Sequence, residues 1–186
     1  MRVVVLSESP ADVAAVRVLV DAVLDVETSA PDLPNLIAPP GWPGVRNVLP
    51  GAVKQLHYHT DVEGLVVVAD SDRSIVHVDQ HDAMEGGEPG CRLCELRRTL
   101  RAITNTLAPR IGQAPLKIAV GVAVPAVEAW YVRGVDPHVN EAAWKRALRD
   151  RQFPYTTVSL KEKVYGTSRP SLSHETQHAV GSARRV

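Results

Sequence analysis

The chain has no excess of either charge. Its 186 residues carry 21 Lys and Arg against 21 Asp and Glu, a formal net charge of zero. That balance argues against a protein that grips nucleic acid through bulk charge, and it leaves open a local basic groove. Aromatic residues are scarce, 4% of the chain, so rows of aromatic platforms for base stacking are not indicated. No apolar run approaches the ~20 residues of a membrane-spanning helix. The opening MRVVVLSESP has too short an apolar run for a signal peptide and no small-residue cleavage pattern. The expectation is a cytoplasmic protein with no membrane partner. Cysteine is limited to Cys91 and Cys94, a C-x-x-C pair. In a reducing compartment that spacing points to metal or redox chemistry before a structural disulfide. No internal repeat is visible. What is present is ordinary for a soluble globular protein, 45% hydrophobic and 23% charged residues. The length suits one domain with a sizeable core.

The rest of the chain reads as organised around residues 64–72, GLVVVADSD. Leu65 to Ala69 is apolar at every position, as in a strand covered on both faces. Such a strand delivers its end to the carboxyl edge of the sheet, where open α/β sheets place their sites. In an extended segment Asp70 and Asp72 point the same way. Two like charges so close raise each other's pKa, and a hard divalent cation such as Mg²⁺ or Mn²⁺ between them relieves the repulsion. The competing reading is a solvated strand-end turn, because Asp and Ser are ordinary turn residues.

Residues 2–6 read as the first strand. Ser9 as N-cap, Pro10 at the first helical position and Asp12 three residues after the cap start a helix. Val13, Val16, Val20, Val23 and Leu24 form its expected buried stripe. The Pro-rich residues 31–50 read as a loop or linker. Val45, Leu49, Val53 and Leu56 suggest a weaker helix over 45–59, interrupted by Pro50-Gly51. Residues 73–90 are polar and Gly-rich, an excursion loop. Residues 91–107 are a helix with Leu93, Leu96, Leu100, Ile103 and Leu107 on one face. Residues 116–124 form a third buried strand, after which Pro125 opens a short helix. Residues 140–151 are a further helix, and Ser171 or Ser173 caps a last one. This order implies an α/β fold with a compact, mostly parallel sheet of about four strands flanked by helices. The fourth strand is expected in residues 47–58 or 155–160. The domain spans 1–186, with a helical C-terminal extension from about residue 137.

In a parallel sheet the strand ends share one edge. Glu8 and Asp12 follow the first strand, Asp70 and Asp72 the second, and Glu128 lies just past the third. Five negative charges in one cleft are costly without cations. Two divalent ions ~4 Å apart would neutralise them and supply the apparatus of phosphoryl transfer. Capping and the helix dipole explain Asp12 or Glu128 singly, but not why every turn at that edge carries an acid.

These residues carry a resemblance. ESPAD after an apolar strand, followed by a strand ending in DSD, resembles the Toprim domain. Glu8 matches that family's strand-end Glu and Asp12 the acid that follows it in some nuclease branches. Asp70 and Asp72 match its D-x-D motif. The stretch VPAVEAWYV is similar to a segment of small standalone Toprim-like proteins and of the overcoming-lysogenization-defect nucleases, in which Glu128 would be a further metal-site acid. The resemblance covers about residues 1–132. Ser9-Pro10 departs from the Gly usual there. It implies a Mg²⁺- or Mn²⁺-dependent nuclease with Glu8, Asp70 and Asp72 at the catalytic centre and a nucleic-acid partner, DNA or RNA. A basic residue often assists in that branch, and Lys161 and Lys163 in LKEKVYG are the candidates, with Lys163 expected at the catalytic centre; each is also readable as a solvated surface lysine. A single Tyr, Tyr165, has no specificity as a covalent nucleophile. The alternative is a non-catalytic Toprim-like module that binds nucleic acid, a partner protein or a second copy. A phosphatase or nucleotidyl transferase acting on small nucleotides is a third reading.

A second set of ligand-type residues lies in the excursion loop. His77-x3-His81 precedes Cys91-x2-Cys94, a Cys₂His₂ set with pair spacings suited to structural Zn²⁺. The competing reading buries Cys94 in the following helix as a small apolar residue. Basic residues cluster in three places: Arg92, Arg97, Arg98 and Arg101; Lys145, Arg146, Arg149 and Arg151; and Arg184-Arg185. Any of these could track phosphates, and solvated helix faces explain them equally.

Overall fold

A computed structural model of the chain describes residues 1–29, 40–132, 136, 146–147 and 155–184. Among these, β1 (Val3–Leu6), β2 (Gly64–Asp70) and β3 (Lys117–Ala123) form one sheet in the order β1-β2-β3. Both pairings are parallel, with Val5 opposite Val66 and Val66 opposite Ala119. The β-branched runs suit the pleat, and burial on both faces explains the continuous apolar pattern of β1 and β2. β3, expected as a third buried strand, lies at the end of the sheet order, with Lys117 and Ala119 exposed and only Ala123 buried.

Between β1 and β2 run α1 (Pro10–Leu24) and α2 (Trp42–His59), and between β2 and β3 runs α3 (Arg92–Thr104). After β3 come α4 (Glu128–Tyr131), α5 (Thr157–Tyr165) and α6 (Leu172–Ala183). On one face of the sheet, Leu65 and Val67 meet Val45, Leu49, Val53 and Leu56 of α2 and Leu96, Leu100 and Ile103 of α3. On the other, Val5, Val66 and Val68 meet Val16 of α1 and Ala179 and Ala183 of α6. The result is a helix–sheet–helix sandwich. Among the described residues no helix is long and apolar enough to cross a membrane.

The fourth strand expected from the sequence is not found among the described residues. Residues 47–58 lie in α2, because Val45, Leu49, Ala52, Val53 and Leu56 bury one helical stripe. Pro50 sits inside that helix without ending it. Residues 155–160 run into α5, whose start is set by a capping box between Thr156 and Ser159. Ser9 and Ser171 cap α1 and α6 as expected. The expected stripe of α1 is shifted. Ala11, Asp12, Ala15 and Val16 are buried, whereas Val23 is 85% exposed. Alanines let α1 approach α6 closely, and a stripe counted from large aliphatics alone overlooks them. The short helix after β3 begins at Glu128 rather than at Pro125. Most of the helix expected over 140–151, and residues 30–39 of the Pro-rich stretch, lie outside the described residues.

Candidate metal centre and acidic sheet edge

The polar loop after β2 leaves the sheet with a sharp turn. Ser71 N–H donates to Ala123 O at 2.7 Å and Asp72 N–H to Pro125 O at 2.8 Å. Asp72 adopts φ 46°, in the left-handed region. The extended geometry expected for residues 70–72 therefore ends at Asp70, and the two carboxylates diverge. Asp70 Oδ1 accepts from Val127 N–H at 2.8 Å. Asp72 Oδ2 pairs with Arg92 at 3.0 Å.

The loop then carries His77 and His81 to the start of α3. His77 Nδ1 lies 3.7 Å from Cys91 Sγ and 3.5 Å from Cys94 Sγ, and His81 Nδ1 lies 4.0 Å from Cys94 Sγ. The donor atoms of all four side chains fall within 4.8 Å of one another. A tetrahedral ion bound at ~2.0–2.3 Å by two nitrogens and two sulfurs separates N and S by ~3.6 Å, so the four donors can hold a metal ion. His81, Cys91 and Cys94 are buried. Cys91 caps α3. Burial pushes its thiol pKa up, while the backbone N–H groups of Cys94 and Leu93 pull it down, as befits a sulfur at a helix N-terminus. His77 Nε2 faces Asp82 Oδ1 at 3.5 Å, and Arg97 holds that carboxylate at 2.7 Å. A carboxylate behind a ligating His fixes its tautomer and orientation.

Gly87 is the close neighbour of this cluster. A Cβ there would stand 2.7 Å from Cys94 Cβ and 2.9 Å from its Sγ, at a φ of +74°. Gly86 has φ +78° with nothing within 4 Å. Gly87→Ala should therefore weaken zinc affinity by about 10–100-fold, whereas Gly86→Ala, which shares the strain but not the contact, should leave it nearly unchanged. Competition against a chromogenic zinc chelator measures both, and equal effects would locate the cause in backbone strain alone.

At the sheet edge, Glu8 Oε1 accepts from Asp70 N–H at 2.9 Å and from Arg92 at 3.2 Å. The Arg92 guanidinium lies over the Trp42 ring, 5.1 Å from its centroid. Asp12 is buried and accepts from Ser9 Oγ at 2.9 Å. Glu128 is buried with Lys161 Nζ 3.8 Å away, and Lys161 also meets Glu175 at 3.4 Å. Burial raises the pKa of Glu8, Asp12, Asp70 and Glu128, and mutual repulsion adds to it. Asp70 is raised furthest above the ordinary range, by desolvation first and then by Asp12, Glu128 and Glu8. Burial acts to lower Lys161, but Glu128 and Glu175 outweigh it and hold its pKa up. The buried Tyr131 hydroxyl, among the same carboxylates, has no hydrogen-bond partner among the described residues.

The structure thus brings Glu8, Asp12, Asp70 and Glu128 to one edge and sets Asp72 beyond Arg92. Their donor atoms are less tightly grouped than the His/Cys set. Lys161 reaches the carboxylates. Lys163 instead pairs with Asp136 and bonds the Tyr155 hydroxyl at 2.7 Å. Tyr165 is buried and burial pushes its pKa up, which disfavours an ionised nucleophile. Glu175 joins the edge from α6, a residue that no spacing in the sequence links to the others. Arg92, expected on a phosphate-tracking helix face, turns inward to the acids. Arg97 serves Asp82, and Arg98 bonds Gly86 O at 3.2 Å. Arg101, Arg146 and Arg184 are exposed, and Lys145, Arg149, Arg151 and Arg185 lie outside the described residues. Compared with known proteins, the chain matches no family model, no curated protein and no solved structure.

Proposed function

We propose that the protein is a divalent-metal-dependent phosphodiester hydrolase acting on nucleic acid, with Mg²⁺ or Mn²⁺ held by Glu8, Asp12, Asp70 and Glu128, while Asp72, expected with them from the D-x-D spacing, is turned to Arg92. The observation that carries this reading is the gathering of buried carboxylates around Asp70, whose pKa their repulsion and burial raise. Hard oxygen donors in that number suit a hard divalent cation. Such an ion supplies Lewis-acid stabilisation of a phosphoryl oxygen and a water of lowered pKa. The chain's own residues orient the edge. Arg92 fastens Glu8 and Asp72, and Lys161 brings a positive charge beside Glu128. The Toprim resemblance of Glu8, Asp12, Asp70, Asp72 and Glu128 supports the same reading. His77, His81, Cys91 and Cys94 hold structural Zn²⁺ in this proposal, since four protein ligands leave no open position for chemistry.

A second reading has one observation in its favour. Arg92 and Lys161 already supply cations to the edge, so a non-catalytic module could keep its carboxylates without a metal.

A gel assay separates the two. Circular DNA, linear DNA and RNA are incubated with the protein in Mg²⁺, Mn²⁺ or neither, beside Asp70→Ala. Cleavage that requires the added ion and disappears in Asp70→Ala is the expected result. A chelator alone decides less, because it also strips the thiolate centre. Cleavage that persists in Asp70→Ala places the activity elsewhere. No cleavage in any lane favours the binding module.

A further inference from the structure

Tyr131 is 5% exposed, and its hydroxyl oxygen has no hydrogen-bond partner among the described residues. A native fold seldom leaves a buried polar atom unpaired, so its surroundings show what completes it. Tyr131 shares a buried cluster with Ala15 and Val16 of α1, Val68 of β2 and Ala179 of α6. Each of these elements presents an acid one step nearer the carboxyl edge of the sheet. Asp12 lies one turn before Ala15 and Val16, Glu175 one turn before Ala179, and Asp70 two residues beyond Val68 on the same face. Glu128 stands three residues before Tyr131 on α4, and both are buried. Those carboxylates bond elsewhere. Asp12 accepts from Ser9, Asp70 from the Val127 N–H and Glu175 from Lys161, which also lies beside Glu128. None of them bonds the phenol. Burial, and then Asp12, Glu128, Asp70 and Glu175, keep the phenol protonated, so it adds no charge to the cluster and can both donate and accept.

We infer that Tyr131 is a positioning residue for the divalent cation of this edge, its hydroxyl holding a water of the ion's hydration shell. The inference rests on the reading of Asp12, Asp70 and Glu128 as cation ligands, and deepens it. Mg²⁺ dehydrates reluctantly and keeps several waters when carboxylates bind it, and each such water needs a partner beyond the ion. The phenol oxygen is fixed by its ring in the apolar cluster and supplies that partner without a further negative charge. Partners behind the ligands orient what the ligands hold. Phe would fill the same apolar space and leave the water unpaired.

The test reads cation affinity without turnover. Zinc-replete protein, kept free of chelator so that the thiolate centre stays filled, is titrated with Mn²⁺, and the EPR signal of the free ion gives the affinity. Tyr131→Phe should bind Mn²⁺ about tenfold more weakly than the wild type. Its Tm without Mn²⁺ should stay the same or rise, because the lost hydroxyl bonds no described residue. The rise in Tm on adding Mn²⁺ should shrink accordingly. A purely structural role would do the reverse, lowering the Tm without Mn²⁺ and leaving the affinity unchanged. That result overturns the inference, as would equal affinity in both proteins or no Mn²⁺ binding by the wild type. The two readings fail separately. Tyr131-dependent Mn²⁺ affinity without cleavage of DNA or RNA removes the hydrolase and keeps the positioning role. Metal-dependent cleavage with equal Mn²⁺ affinity in Tyr131→Phe removes the positioning role and keeps the hydrolase.

Discussion

If His77, His81, Cys91 and Cys94 hold structural Zn²⁺ as proposed, Cys94→Ser is expected to strip the protein of a stoichiometric metal ion and to lower its Tm by about 10 °C or more. The size of the effect follows from what else holds the loop. Its large apolar residues do little, because Ile75, Val78 and Met84 are all exposed, at 46%, 37% and 44%. Its regular structure is one 3₁₀ segment, Asp79–Ala83. The side chains that do turn inward are His77, His81, Cys91 and Cys94, and two buried thiols without a cation are poor glue. Binding free energy at such a centre is folding free energy. Loss of a metal belongs to the few changes that exceed ~4–5 kcal/mol, and each kcal/mol is worth ~2–4 °C in a chain of this length. Metal analysis of purified protein, thermal melts with and without a zinc chelator, and amide exchange across residues 73–94 check the prediction together. Stoichiometric zinc that leaves with Cys94→Ser, with faster exchange in that window, is expected. Metal-free wild-type protein with the same Tm and the same protection would remove the centre.

On the proposed hydrolase reading, Asp70→Asn is expected to abolish cleavage and yet to stabilise the metal-free protein. The carboxylate accepts a hydrogen bond from Val127 N–H that an amide oxygen can also accept, so the turn survives. What disappears is a buried negative charge facing Asp12, Glu128 and Glu8. Removing a charged group from a buried polar constellation costs ~3–5 kcal/mol of the interaction it serves, or about 10²–10³-fold or more in rate.

The stability side has a definite sign. Glu8, Asp12, Asp70 and Glu128 all have folded-state pKa values above the ordinary 4.5 for Glu and 3.8 for Asp. Between the ordinary and the raised values the folded protein holds protons that the unfolded chain has released, so stability falls as pH rises. The contribution of these groups is full below the ordinary carboxylate range and is lost as pH climbs through each raised pKa. Metal-free wild-type protein should therefore melt lower at pH 7.5 than at pH 5.5 as far as this cluster decides. Asp70→Asn should flatten that slope and gain about 1 kcal/mol at pH 7.5, or ~2–4 °C. Mn²⁺ should raise the Tm of the wild type at pH 7.5 by mass action and leave the variant unmoved. A wild-type slope of the opposite sign, with no response to Mn²⁺, would sink the acidic edge as a cation site.

The sequence by itself determined the parallel α/β class, the three apolar strands, the caps of α1 and α6 and the pairing of His77 and His81 with Cys91 and Cys94. Each of these is a local property. Apolar continuity reports a strand, though its burial on two faces holds for β1 and β2 and not for β3; a Ser before a Pro reports a helix start, and a four-residue His spacing with C-x-x-C reports ligands that one short loop can gather. The convergence of Glu8, Asp12, Asp70 and Glu128 was also legible, because a parallel sheet necessarily brings its strand ends together. Tertiary structure alone decided the rest. The turn at Ser71 sends Asp72 away from Asp70, since backbone hydrogen bonds to Ala123 and Pro125 fix its left-handed conformation. The packing of α5 and α6 against α1 and α4 sets Lys161 rather than Lys163 beside Glu128 and adds Glu175. Arg92, at the start of α3, faces the acids and bonds Glu8, Asp70 O and Asp72. Side chains 84 residues apart, as Glu8 and Arg92 are, become partners only through packing, and no spacing rule within one element records that.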